Sequence, residues 1–249
     1  GQQCFERGSV KNTYGTGCFM LMNTGNKPHP SKHGLVTTIA WGYQGEITYA
    51  LEGSVFVAGS AVQWLRDQLK FFKTAKESEK LALSAKEEHE LIVVPAFVGL
   101  GAPYWDNDCK GAMFGITRGT SKEDMTKATL DSIAYQNRDI LDAMKEDSGI
   151  AIQSLRVDGG ASANDYLMQF QSDIMHCVIE RPENVESTAL GAAYLAGLAV
   201  GYWNNLDELK RERNSHIFTP MMNISDVNDL YERWQKAVAC ARMFTKNEE

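Results

Sequence analysis

The hydrophobic period of this chain changes once, near Ala58, and that change limits the folds open to it. Before it, short runs rich in Thr, Val, Ile and aromatics alternate with turns. The spacing predicts strands at 9–14, 18–23, 35–41 and 47–51, joined through GTG, TGNKPHPSKHG and YQGE. After it, AGSAVQWLRDQLKFF sets Val62, Leu65, Leu69 and Phe72 at helical spacing. KESEKLALSAKEEHE predicts a polar, solvated helix, and LIVVPAF (91–97) a buried strand. GLGAPYWDNDCKGAMFGI reads as a glycine-broken loop returning to a strand near 112–116. A long helix follows, with Ser121 as N-cap, Leu130, Ile133, Ala134, Ile140, Leu141 and Met144 on one face, and Gly149 as its stop. SLRVDGG is a strand entering a glycine pair, NDYLMQFQSDIM a helix and CVIE (177–180) a strand. STALGAAYLAGLAVG is a small-residue helix, and DVNDLYERWQKAVACARMFTK closes the chain as an amphipathic one. A strand meander followed by alternating helices and strands predicts one α/β domain over 1–249.

At 249 residues and 43% hydrophobic, the chain is long enough to bury a sizeable core. Its net charge of −7 argues against a nucleic-acid platform or a polybasic membrane binder. No apolar run is long enough to span a bilayer, and no secretory signal is visible. The five cysteines are odd in number, widely spaced and without a C-x-x-C pair, as suits reduced thiols in a cytosolic protein. The chain opens on Gly1 rather than Met, which reads as a processed product or a piece of something longer.

Several chemistries find no support. G-x-x-x-x-G-K-[ST] is absent, GTGCFM and GLGAPY each fail the dinucleotide pattern at its third glycine, and H-E-x-x-H is missing. HPSKH (29–33) fits a solvated turn better than a metal site. His89, His176 and His216 stand alone, and KESEK and KEEHE read as solvated helix faces.

What remains is a set of glycine-rich junctions. In YGTG, Gly15 and Gly17 are able to take positive φ and lack a Cβ, while Thr16 adds a hydroxyl. That is a phosphate nest or a tight hairpin turn, and taken alone it favours the turn. VDGGASAND runs a strand through Gly159 and Gly160 into a helix start near Asn164, where orphan N–H groups favour anions and polar ligand edges. Asn164 as a plain N-cap and the glycine pair as a plain corner fit equally well. STALGAAYLAG permits close backbone approach to a neighbour or a ligand. FVAGSAVQWL starts a helix at Gly59 with Gln63 one turn on, room for a flat ligand beside a hydrogen-bonding amide. In this order, the junctions form the layout of the actin-like ATPase (ribonuclease H-like) fold.

GAMFGITRGTSKEDMTKATLD (111–131) resembles the C-terminal signature of the FGGY carbohydrate kinases. YALEGSVFVAGSAVQWLRD, VVPAFVGLGAPYWD, LRVDGGASAND, LMQFQSDI and TALGAAYLAGLAVGYW are similar to the same family, and KNTYGTGCFMLMNTG to its glycerol-phosphorylating members. The resemblance implies the C-terminal lobe of a two-lobed cytoplasmic kinase that uses ATP with Mg²⁺ to make sn-glycerol 3-phosphate, working as a homodimer or homotetramer. Under it Thr16 would contact the β- and γ-phosphates, Gly59 and Gln63 would lie along the nucleotide, and Gly160 and Asn164 would hold the adenosine. Phe19 would sit against the carbon backbone of glycerol. The family's catalytic Asp belongs to a GDQQ-like segment ahead of the point matched by Gly1, so no residue here is expected to be catalytic or to bind metal. Another sugar kinase of the family, or a non-catalytic actin-like nucleotide-binding module, are the alternative readings.

Overall fold

The computed structural model of the chain describes residues 1–86, 90–184, 186–210 and 214–245. His89 therefore lies outside the described residues, as do Glu87 and Glu88 of the expected polar helix and Lys246 of the terminal one. In chain order the strands are β1 (Val10–Tyr14), β2 (Cys18–Gly25), β3 (Val36–Tyr43), β4 (Glu46–Val55), β5 (Ile92–Val94), β6 (Ala112–Phe114), β7 (Ser154–Asp158), β8 (Val178–Pro182) and β9 (Ser215–Phe218). The helices are α1 (Gly59–Asp67), α2 (Glu77–Leu83), α3 (Lys122–Ser148), α4 (Asp165–Met175), α5 (Ser187–Ala199) and α6 (Ile224–Thr245). Among the described residues, seven strands form one mixed sheet in the order β3-β4-β2-β1-β7-β8-β9, and β5 pairs with β6 apart from it.

The meander β1-β2 and β3-β4 is antiparallel, whereas β7 joins β1 in parallel and β8 joins β7 in parallel. The parallel join matters most, because it sets the exits of β1 and β7 side by side at one end of the sheet. One face of the sheet is closed by α3 and α4. Val10, Asn12 and Tyr14 of β1 and Cys18, Met20 and Met22 of β2 are all buried there, as period-two alternation requires.

The long helix forms where its caps place it. Ser121 and Asp124 close a capping box, and Gly149 ends the helix in the left-handed region at φ 66°. The expected face of Leu130, Ile133, Ala134, Ile140, Leu141 and Met144 is buried. Polar side chains also cross this interface, paired. Asn12 Nδ2 donates to Asn137 Oδ1 at 2.9 Å, and the Tyr14 hydroxyl to Gln171 Oε1 at 2.7 Å. Such pairs fix which residues of helix and strand face each other, since a slip leaves a buried polar group without a partner.

Some expectations are corrected. Helix α1 stops at Asp67, not Phe72: Lys70 takes the left-handed region at φ 57°, so Leu69 and Phe72 lie beyond the helix. Among the described residues of the predicted polar helix, the helical ones are Glu77–Leu83. Strand β9 has no counterpart in the expected set. The 29–33 turn is not simply solvated: it caps the end of α3. Asp147 accepts from Ser31 Oγ at 2.5 Å, Lys32 N at 2.8 Å and His33 Nδ1 at 2.7 Å. Burial works against charge on Asp147, yet those bonds hold its carboxyl below the usual range. Cys18, Cys109 and Cys177 are buried thiols and Cys240 an exposed one.

Asp139 of α3 is a strongly perturbed carboxyl of the core. Burial raises it to about 7, although the Tyr231 hydroxyl (2.6 Å), Trp234 Nε1 (3.0 Å) and Tyr104 all hydrogen-bond to it. The unfolded carboxyl titrates near ~3.9. From there up to about pH 7 the folded chain keeps a proton the unfolded chain has released, so stability falls as pH rises and levels off above. Urea titrations across that range are expected to show this slope in the parent chain and a flatter profile in Asp139→Asn. Equal slopes would contradict it.

Candidate active site

At the end of the sheet where β1 and β7 exit, three backbone segments meet with no space for side chains between them. The hairpin turn Gly15–Gly17 is closed by Gly15 N donating to Gly17 O at 2.8 Å. Neither glycine takes positive φ, so YGTG is the hairpin turn that the motif taken alone favours rather than a nest. Gly17 is needed for another reason: a Cβ on it would run into Val55 O. The start of α1 docks on the turn. Ala58 N and Ser60 N donate to Thr16 O at 2.9 and 3.1 Å, and Gly59 N donates to Gly15 O at 3.0 Å. A Cβ on Gly59 would strike that same Gly15 oxygen. The glycine expected to lie along a ligand is thus already required by the docking of helix on hairpin, and its N–H is spoken for.

The β7 exit is as close. Gly159 adopts φ 85°, and a Cβ there would lie 2.5 Å from Tyr14 O. It turns the chain into a short 3₁₀ segment, Gly160–Ala163, held from two sides. Ser162 Oγ donates to Gly159 O at 2.7 Å, and Arg181 of β8 reaches in to Ser162 O at 2.7 Å while pairing with Asp165 at 2.8 Å. Arg181 carries no recognisable signal in CVIERP, and only the parallel β7-β8 pairing reveals it.

Gly160 differs from its neighbours. It is exposed, it is not in the left-handed region, and nothing lies within 4 Å of where its Cβ would be. The fold does not require a glycine there. Asn164 N-caps α4, accepting from Leu167 N at 2.9 Å, and its amide donates to Ser78 Oγ of α2 at 3.3 Å. The plain-cap reading of Asn164 is therefore correct as far as its carbonyl goes. Thr16 and Gln63 are exposed.

The face of the sheet opposite α3 carries a second row of residues. Cross-strand pairs align Ser54, Phe19, Thr13 and Asp158 across β4, β2, β1 and β7, all on one side. Phe19 is 48% exposed on this open face. Asp158 is buried and receives Gln2 Nε2 at 2.9 Å and the Ser187 hydroxyl from the start of α5, while its Oδ1 has no hydrogen-bond partner. Lys11 lies one pair further along and donates to Thr13 Oγ1 at 2.8 Å. Burial pulls its ammonium below the ordinary lysine value, with Asp158 opposing. Thr13, Lys11 and Asp158 were missed by motif reading, although the period-two alternation of β1 against Phe19 places the first two on the open face.

Residues 10–200 match the C-terminal domain of the FGGY family of carbohydrate kinases. The chain belongs to that family. Curated relatives include glycerol kinases of Bacillus licheniformis, 62% identical over 98% of this chain, and of Enterococcus casseliflavus, 57% identical over 98%. The chain spans 49% and 48% of their lengths, about half of each. Among solved structures, a Plasmodium falciparum glycerol kinase with ADP superposes with a TM-score of 0.89 at 38% identity, over the whole of this chain and 49% of that one. A Brucella ovis sugar kinase at 20% identity and a TM-score of 0.84, covering 97% of this chain and 51% of that one, shares the fold. The actin-like architecture is thus that of an FGGY C-terminal domain.

The two FGGY glycines of the β7 exit are expected to respond oppositely. Gly159→Ala forces a strained φ and a backbone clash and is expected to lose ~2 kcal/mol or more of unfolding free energy. Gly160→Ala is expected to stay within about 0.5 kcal/mol of the parent. Paired denaturant titrations decide it, and equal losses would refute the contrast.

Proposed function

We propose that this FGGY domain is the nucleotide-holding half of an ATP-dependent glycerol kinase. The observation that carries the reading is Gly160: a glycine demanded by neither backbone angle nor protein packing, on a pinned turn that opens beside the exposed YGTG hairpin. A missing Cβ at such a place suits close approach of a flat ligand. The shared corner of β1 and β7 supports phosphates at Thr16 and the adenosine at Gly160 and Asn164, with Gln63 alongside. The names of the curated relatives support glycerol as the substrate, and the ADP in the Plasmodium crystal structure supports the nucleotide.

In the reaction this assigns, a terminal hydroxyl oxygen of glycerol attacks the γ-phosphorus, the bond to the ADP oxygen breaks, and the hydroxyl proton passes to a carboxylate. The part played by this chain is positioning. The hairpin fixes the phosphate end, the β7 turn fixes the base end, and Phe19 offers an apolar wall on the open face where the carbon backbone of the polyol rests. The proton acceptor and most polyol contacts fall to the other half of the relatives' length, and closure of the halves excludes water from the transfer. Mg²⁺ would be held chiefly by the phosphates of the nucleotide, since among the described residues no group of three or more His, Cys, Asp or Glu is placed to hold a metal ion by itself. No step is routed through it here. No helix among the described residues is long and apolar enough to cross a membrane. A cytoplasmic setting belongs to the proposal because ATP is the phosphoryl donor.

Calorimetric titration of Mg-ATP into the chain is expected to show binding, weakened ~10-fold or more by Thr16→Ala and by Gly160→Val. Asn164→Ala is expected to lose affinity and also ~1 kcal/mol of stability, because it removes a helix cap. Unchanged affinity in all three variants would overturn the site. The pure chain is expected to turn over no ATP in response to glycerol, and a measurable glycerol-dependent rate would contradict the placement of the base.

A further inference from the structure

On the helical side of the sheet, α3, α4, α6 and the start of β5 enclose a cavity of about 370 Å³. That volume lies at the small end of ligand pockets. The cavity is separate from the corner described above, since neither the YGTG turn nor Gly160 lines it. Its walls are aromatic and aliphatic, from Tyr135, Tyr166, Phe170, Leu91, Ile92 and Leu230. Two carboxylates also line it, and each has its partners already. Asp131 accepts from the Tyr166 hydroxyl at 2.5 Å and from Lys127 Nζ at 2.9 Å. Asp173 Oδ1 accepts from Gln169 Nε2 at 3.1 Å, Met221 N at 2.6 Å and Met222 N at 3.2 Å.

Two donors stand differently. Tyr135 is 5% exposed, yet its hydroxyl makes no hydrogen bond to a described residue. Burial raises that hydroxyl above the ordinary tyrosine range and Asp131 adds to the rise, while Arg233 and Arg138 oppose it. It therefore stays protonated, near Asp131 and Arg233, which both line the cavity. Arg233 of α6 donates from Nη2 to Glu90 O at 2.9 Å, and no described carboxylate forms an ion pair with it. A buried donor without an acceptor is costly, and a guanidinium has N–H groups to spare for a further partner.

We propose that this cavity is a binding site for a small carboxylate with an apolar or aromatic body. The carboxylate accepts from Arg233 and from the Tyr135 hydroxyl, and the body fills the space between α3, α4 and β5. The guanidinium fork matches two coplanar oxygens. One negative charge suits the site better than the two of a phosphate monoester, because Asp131 and Asp173 stand in the walls. A cation is disfavoured for the opposite reason: both carboxylates are already matched. Nothing in the nucleotide corner is needed for this binding.

The probe is 3-phenylpropionate, with 3-phenylpropylamine as its cationic counterpart. Calorimetric titration of the acid into the chain is expected to show one saturable site with a Kd on the order of 0.1–1 mM. The amine is expected to bind at least ~10-fold more weakly. Arg233→Gln is expected to weaken the acid ~10-fold or more and Tyr135→Phe ~5-fold, with both variants folded by urea titration. Arg233→Lys keeps the charge without the fork and is expected to fall between the parent and Arg233→Gln. In the unsubstituted chain, methyl NMR signals of Leu91, Met222 and Leu230 are expected to shift with the acid, while those of Met20 and Met22 in β2 stay in place. No saturable binding by about 10 mM, equal affinity for acid and amine, shifts that miss the cavity methyls, or unchanged affinity in both Arg233→Gln and Tyr135→Phe would each overturn the proposal.

Discussion

Everything useful at the candidate site depends on backbone packed against backbone without intervening side chains. Three glycines permit it: Gly17 against Val55, Gly59 against Gly15, and Gly159 against Tyr14. Carbonyl and N–H groups there interlock, with α1 using Thr16 O and Gly15 O to satisfy its first donors. A hairpin turn is ordinarily a mobile element. Here it is wedged between the start of a helix and the exit of a parallel strand, which gives two separate loops a fixed spacing. Preorganisation of that kind is what a group-transfer site needs from its scaffold.

Beneath the corner, α3 and α4 hold the sheet by polar pairs as well as apolar contact. Asn12 with Asn137 and Tyr14 with Gln171 lie directly below the strand that ends in the hairpin. Each pair is buried, so each requires its partner, and together they fix β1 along both helices. The apolar face alone, from Leu130 to Met144, specifies burial without choosing one register so sharply.

Much of this was legible in the chain of residues. Ser121 and Gly149 announced both ends of α3, and the order of YGTG, Gly59, Gly159 and the small-residue helix pointed to the fold where each motif alone did not. What stayed hidden was whatever depends on another segment. Strand β9 is four residues of SHIF whose only reason to be extended is the free side of β8. Helix α1 was drawn too long because Leu69 and Phe72 keep the period after the backbone has turned at Lys70. YGTG allows its glycines positive φ, a local property that neither uses, and one proved essential through a clash with a strand far along the chain. Arg181 and the capping of Asp147 by the 29–33 turn share that character: long-range contacts leave no mark on local composition.

Helix α3 also has a mechanical side. At 27 residues it is a rod of ~40 Å, anchored at both ends by side chains from elsewhere. Near its start Asp124 accepts from Lys86 N at 3.2 Å, and near its end Asp147 grips the turn that leads into β3. Asn12 and the hairpin strand are tied to its middle through Asn137. The turn before β3, the Lys86 segment and the strand bearing the YGTG hairpin are thus all tied to one helix. What happens at one sheet edge is thereby connected, through a single helix, to the strand that carries the candidate site.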